Sequence, residues 1–295
     1  MTQPAVTERV TQRVRSLLDR YADTWLGRVV SDSVRGLVEI ELFDRSMTLA
    51  AQAFTSVFPV LILVATLRPR SDDSPVGSTL ADSLGLSPQA REALQNAVPQ
   101  GSDVSAAFGF VGVLVVVLSA TSYSRALLRM YVRVWNAPRP PGLRSMWRWI
   151  ATLLGVVVLV LLLTLIRRVV SDVPLSGAIE ALIAFVIAGF FWTWVPWFLL
   201  ARRIPVRMLV PGGALMALCM MLLEVAGQIY LPLALSSGIR RFGVLGISFT
   251  YVTWLFVVMF ALVVSTTIGA VIAREPGPLA RALGIGQRPE PKPPA

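Results

Sequence analysis

The chain has 295 residues, 55% of them hydrophobic and 15% charged, with a mean hydropathy of +0.68 and a formal net charge of +10. That is too apolar for an ordinary soluble domain, and the basic residues lie mostly in short segments between apolar runs, a membrane-topology pattern. Histidine is absent, Cys219 is the single cysteine and Lys292 the single lysine, which excludes a histidine base or ligand, an intrachain disulfide and a P-loop.

Residues 1–46 read as one or two amphipathic helices. Val10, Val14, Leu17, Leu18, Tyr21, Trp25, Val29 and Leu37 recur at roughly helical spacing, with Arg9, Arg13 and Arg20 among them. They fit either the inner membrane surface or a solvated helix packed on the end of a bundle. The first apolar span is expected near 47–67, after this charged leader, so it is no cleavable signal peptide. Thr48, Gln52 and Thr55 form one polar stripe on it, which should face other helices. The polar segment 68–103 follows, and within it "SPQAREALQNAV" predicts a short helix with Ser87 as N-cap and Pro88 at the first position.

A second span near 104–123 gives way to "LSATSYSRALLRMYVRVWNAPR". Arg125, Arg129 and Arg133 recur every four residues along one helical face. Arg139, Arg144 and Arg148 follow with no acidic residue between, and Tyr123, Tyr131, Trp135, Trp147 and Trp149 flank them. Two readings stay open: a site for an anionic lipid headgroup or substrate, or positive-inside anchoring alone. Nucleic acid is not an expected partner, because it would compete with the anionic leaflet beside it.

Spans near 147–166, 177–200, 209–231 and 244–272 complete a set of six, each long enough for a hydrocarbon core of ~30 Å. "FWTWVPWFLL" in the fourth repeats the Phe-to-Pro spacing of "FTSVFPVLIL" in the first. It sets Pro196 against Pro59 and raises an inverted repeat of the kind found in transporters. Glu180 falls near the start of the fourth span, at the interface. Glu224 lies deep in the fifth, with Gln228 one turn on. A charge at that depth costs ~2.5–3.5 kcal/mol or more. The pair therefore reads as a site for a cation, a proton or a headgroup, or else as a protonated contact between helices. The tail after Arg274 is proline-rich and expected to be disordered.

With the N-terminus inside, the inner segments hold 20 basic residues and the outer ones seven, which predicts both termini in the cytosol. The expected fold is therefore all-α: a polytopic membrane protein of six transmembrane helices with no metal or cofactor.

Three stretches resemble the YihY/BrkB family of bacterial inner-membrane proteins, once labelled ribonuclease BN, over roughly residues 35–272. They are "RSMTLAAQAFTSVFPVLILVATL" at 45–67, "LSATSYSRALLRMYVRVWNAP", and "VPGGALMALCMMLLEVAGQIYLP" at 210–232. The last span departs from the family. It keeps Phe242 and Gly243, but "TTIGAVI" replaces the usual Gly-Ala-Glu-x-Asn close, so an acidic site there would be missing. The resemblance implies a six-span protein of the bacterial plasma membrane with a poorly defined activity. Ribonuclease activity is not expected, since without histidine it needs paired carboxylates on metal, and the inner segments show no such set.

The function expected on these grounds is binding or translocation of an anionic amphipathic molecule, a lipid or an envelope precursor. Arg125, Arg129 and Arg133 would gather its headgroup, and Glu224 with Gln228 would line its path. The alternative is a non-transporting scaffold that recruits an envelope-assembly protein through the leader and the 68–103 segment.

Overall fold

The computed structural model describes residues 24–67, 107–138, 176–275 and 277, with Arg148, Ala151, Thr152, Gly155, Leu159 and Leu162 between them. The leader helices expected before Thr24, the "SPQAREALQNAV" segment and the proline-rich tail lie outside the described residues. Among the described residues every regular element is a helix and none is a strand. They are α1 (Trp25–Glu39), α2 (Leu42–Leu67), α3 (Ala107–Trp135), α4 (Ser176–Leu199), α5 (Val206–Phe242) and α6 (Val244–Arg274).

Local chemistry sets most of their ends. The Thr24 hydroxyl caps α1 by accepting from the Gly27 N–H at 3.2 Å. The chain then bends at Glu41, a non-glycine residue in the left-handed region (φ 58°), and α2 starts at once, ahead of the span expected from Met47. At the end of α3 the Ala137 N–H reaches the Val132 carbonyl (3.1 Å) and the Asn136 N–H the Arg133 carbonyl (3.3 Å). At the end of α4, Arg202 and Ala201 repeat this pair of bonds to Trp197 (2.9 Å) and Phe198 (3.2 Å). Both are Schellman closures, which ask for a left-handed residue. Asn136 supplies it readily, whereas Ala201 and Arg202 hold φ 59° and 61° with a Cβ in the way.

Among the described residues, three helices are long and apolar enough to cross a membrane, at Gly177–Leu199, Val206–Phe242 and Leu245–Arg274. The fifth predicted span, 209–231, is shorter than the helix that contains it. Pro211 and Pro232 both stay inside α5, which runs on through Arg240 and Arg241 to a turn at Gly243. Interior prolines are tolerated in membrane helices because neighbouring groups re-satisfy the freed backbone. Beyond Pro232, Ser236 and Ser237 donate to the Leu233 and Ala234 carbonyls of their own helix. At 37 residues α5 is about 55 Å long, well beyond one hydrocarbon thickness, so it tilts or projects. Gly243 (φ 59°, ψ −138°) takes a conformation close to glycine's own region.

The centre of the bundle is α6. It packs along α5 and against α2, α1 and α3, while α4 packs on α5. Glycines bring the α5–α6 backbones together at both ends of the hairpin. A Cβ on Gly246 would fall on the Gly238 backbone, and one on Gly269 on the Gly212 backbone. Such close approach is how helices associate where lipid is as apolar as the side chains. Tyr131, Met130, Leu199, Leu200, Met216, Leu262 and Val263 fill the core. Gly155 abuts the Trp194 ring (a Cβ there would lie 3.0 Å from it), which sets the helical positions around 155 beside α4. Leu182, Val186 and Phe190 on α4, and Leu222, Val225 and Ile229 on α5, form exposed apolar stripes.

Candidate functional site

The arginine stripe of α3 has the separation of faces that its spacing predicts. Ala126, Leu127, Met130 and Tyr131 are buried, while Arg125, Arg129 and Arg133 are exposed. Arg125 folds back along its own helix, donating from Nε to the Thr121 carbonyl and from Nη2 to the Thr121 hydroxyl, both at 3.3 Å. Among the described residues, Arg129 and Arg133 make no hydrogen bond and no ion pair.

Other arginines, read from sequence only as topology, do the structural work at this end. Arg274 at the end of α6 donates from Nη2 to the Val134 carbonyl (2.9 Å), and its guanidinium lies 5.6 Å from the Trp135 ring centroid. Arg203, between α4 and α5, donates to the Pro138 carbonyl (3.2 Å). Together they satisfy carbonyls at and just beyond the C-terminus of α3 and place positive charge at its negative dipole end. Arg202 covers the Trp197 ring at 4.7 Å, and Arg28 pairs with Glu275 at 3.4 Å, tying α1 to the same end. The available sequence signal was an arginine close to each helix end; which carbonyl each one reaches depends on how α3, α4 and α6 pack.

Glu224 and Gln228 sit one turn apart on α5, both exposed, and Glu224 makes a polar interaction of its own. The structure does not gather them with the arginines. α3 and α5 each pack on α6 and share no extensive contact. They do meet in level. Cys219 lies against Ser265 (3.5 Å) and Gly227 against Trp254, bracketing Glu224, while from α3 the Tyr123 hydroxyl donates to Met259 Sδ (3.4 Å). Arg125 and Glu224 thus stand at nearly the same height along α6, near Met259.

Gln52 is half-buried on α2, and its Oε1 is buried without a hydrogen-bond partner among the described residues. Its neighbours Thr48 and Thr55 are exposed, and Thr55 donates to the Ala51 and Gln52 carbonyls. Pro196 is buried inside α4. With Trp135, Trp192, Gly212, Met216 and Thr266 it lines a cavity of about 10 Å³, room for roughly one water. Pro59 lies within α2, and its side chain, like that of Glu180, is outside the described residues. Among the described residues no three His, Cys, Asp or Glu side chains come close enough to hold a metal ion.

An all-helical bundle with several helices fit to cross a bilayer, bound at one end by arginines over tryptophans, is a polytopic α-helical membrane protein. The chain belongs to the Virulence factor BrkB family, the YihY family, whose model matches residues 33–284. No curated protein and no solved structure matches it.

Proposed function

We propose that this membrane protein binds an anionic amphipathic molecule, a lipid or an envelope precursor, at the α3 arginines and moves it across the bacterial plasma membrane. The observation that carries the reading is the division of labour among arginines. Arg203 and Arg274 close the end of α3, which leaves Arg129 and Arg133 exposed and unpaired among the described residues. An arginine that neither caps nor pairs keeps its fork of donors for a phosphate or carboxylate. Clusters of this kind beside a membrane helix attract anionic headgroups by about 1 kcal/mol per charge. Arg125 extends the stripe to the level of Glu224 along α6, though the structure does not bring the two together. In this reading both termini are cytosolic, six helices span the membrane, and the role is non-enzymatic.

Mass spectrometry of gently purified protein tests it, with wild type set beside the Arg125→Ala, Arg129→Ala, Arg133→Ala triple variant. A specific anionic lipid retained by wild type and lost by the variant is the expected result. Identical, bulk-like lipid on both proteins would sink the binding site and leave the scaffold role as the better account.

A further inference from the structure

We infer that α1 carries a lipid-contact face, so that the membrane-facing surface of this chain begins at Leu26 and not at the span expected near Met47. The helix has three faces. Val29, Ser33 and Ile40 are buried, with Gly36 against the Thr267 methyl and Trp25 against Gly277. Arg28, Asp32, Arg35 and Glu39 form a charged face. Leu26, Val30, Val34 and Val38 form the third, at i, i+4 spacing and between 56% and 73% exposed.

What covers this third face follows from where it leads. The contacts of Trp25 with Gly277, Gly36 with Thr267 and Phe43 with Phe260 (ring centroids 5.6 Å apart) share one antiparallel register. α1 and the first turns of α2 therefore run one after the other along α6, inward from its C-terminal end. The apolar stripe passes with them into Phe43 and Met47, also exposed, on an apolar helix of 26 residues. On the reading that α2 is the first membrane-crossing helix, a protein partner would have to follow the stripe past Met47 into the bilayer, where acyl chains already lie.

The charged face names the chemistry of the contact. Its two arginines are balanced by Asp32 and Glu39; Arg35 approaches Asp32 at 3.9 Å, and Arg28 is held by Glu275. Nothing on α1 selects an anionic surface, so burial of apolar side chains among acyl chains drives the contact, not attraction to headgroup charge. In this it differs from the α3 stripe and stands whether or not that stripe binds a lipid.

The test uses the full chain with Cys219→Ala and single cysteines Val30→Cys, Val34→Cys, Arg35→Cys or Glu39→Cys. Each carries a bimane label and is reconstituted in phosphatidylcholine vesicles with brominated acyl chains. Two positions on each face guard against a variant that misfolds, and each labelled protein must keep the thermal midpoint of its parent. Bromolipid should quench positions 30 and 34 about threefold or more above 35 and 39, with iodide showing the reverse order. Adding anionic lipid or salt should leave that pattern unchanged. Iodide reaching positions 30 and 34 as readily as 35 and 39 would overturn the inference. So would both quenchers missing positions 30 and 34, since protein would then cover the stripe.

Discussion

Arg274 spends its guanidinium on the Val134 carbonyl and the Trp135 face, whereas Arg133, at the end of the helix it closes, faces outward. The two should respond differently to removal. Arg274→Ala is expected to cost about 1–2 kcal/mol, from a charge-assisted bond to a helix end and a cation–π contact that is only partly shielded. Arg274→Lys should lose less, since it keeps the charge but not the planar fork. Arg129→Ala and Arg133→Ala should stay within about 0.5 kcal/mol. Thermal unfolding in one detergent ranks all four, and equal losses throughout would mean that the capping contacts are not what holds this end. Ala201 gives a prediction of opposite sign. Its left-handed backbone opposes a Cβ, so Ala201→Gly should stabilise by up to about 1 kcal/mol, less the added freedom of glycine in the unfolded chain. The sequence shows an alanine there and no turn signal. Only the closure at the end of α4 reveals the strain.

The α5–α6 hairpin depends on close backbone approach, and its two ends offer an asymmetric test. A Cβ on Gly269 would strike the Gly212 backbone, while a Cβ on Gly212 finds its nearest neighbour, the Ser265 carbonyl oxygen, at an ordinary 3.5 Å. Gly269→Ala should therefore destabilise by roughly 1–3 kcal/mol, the range for overpacking, and Gly212→Ala by much less. Comparable effects in a detergent unfolding titration would show that the two helices can part freely at this crossing. Both glycines stand plainly in "VPGGAL" and "TTIGAV". Their pairing follows from the register that a turn at Gly243 imposes. The same turn explains why α5 outruns its predicted span. Hydropathy alone ends the apolar run near Pro232, but a helix within a bundle continues while its backbone bonds are met and its side chains find neighbours.

Across the whole molecule, the excess of basic residues in alternate segments predicts cytosolic termini. A green fluorescent protein fused after Ala295 should fluoresce, and alkaline phosphatase inserted in the 68–103 segment should be active. The reverse pair of results would invert the topology and place the arginine-rich end on the other side. Composition and apolar run length were enough to determine a helical membrane protein, because a bilayer demands long stretches whose backbone bonds close internally. The i+4 spacing of Arg125, Arg129 and Arg133 likewise predicted that they share one helical face, since helical period is a local property. Three features needed the tertiary structure: the capping of α3 by Arg203 and Arg274, the common height of Arg125 and Glu224 along α6, and the third face of α1. Each depends on which helices lie together and in what register, and that is set by glycine contacts and side-chain packing between segments far apart in sequence.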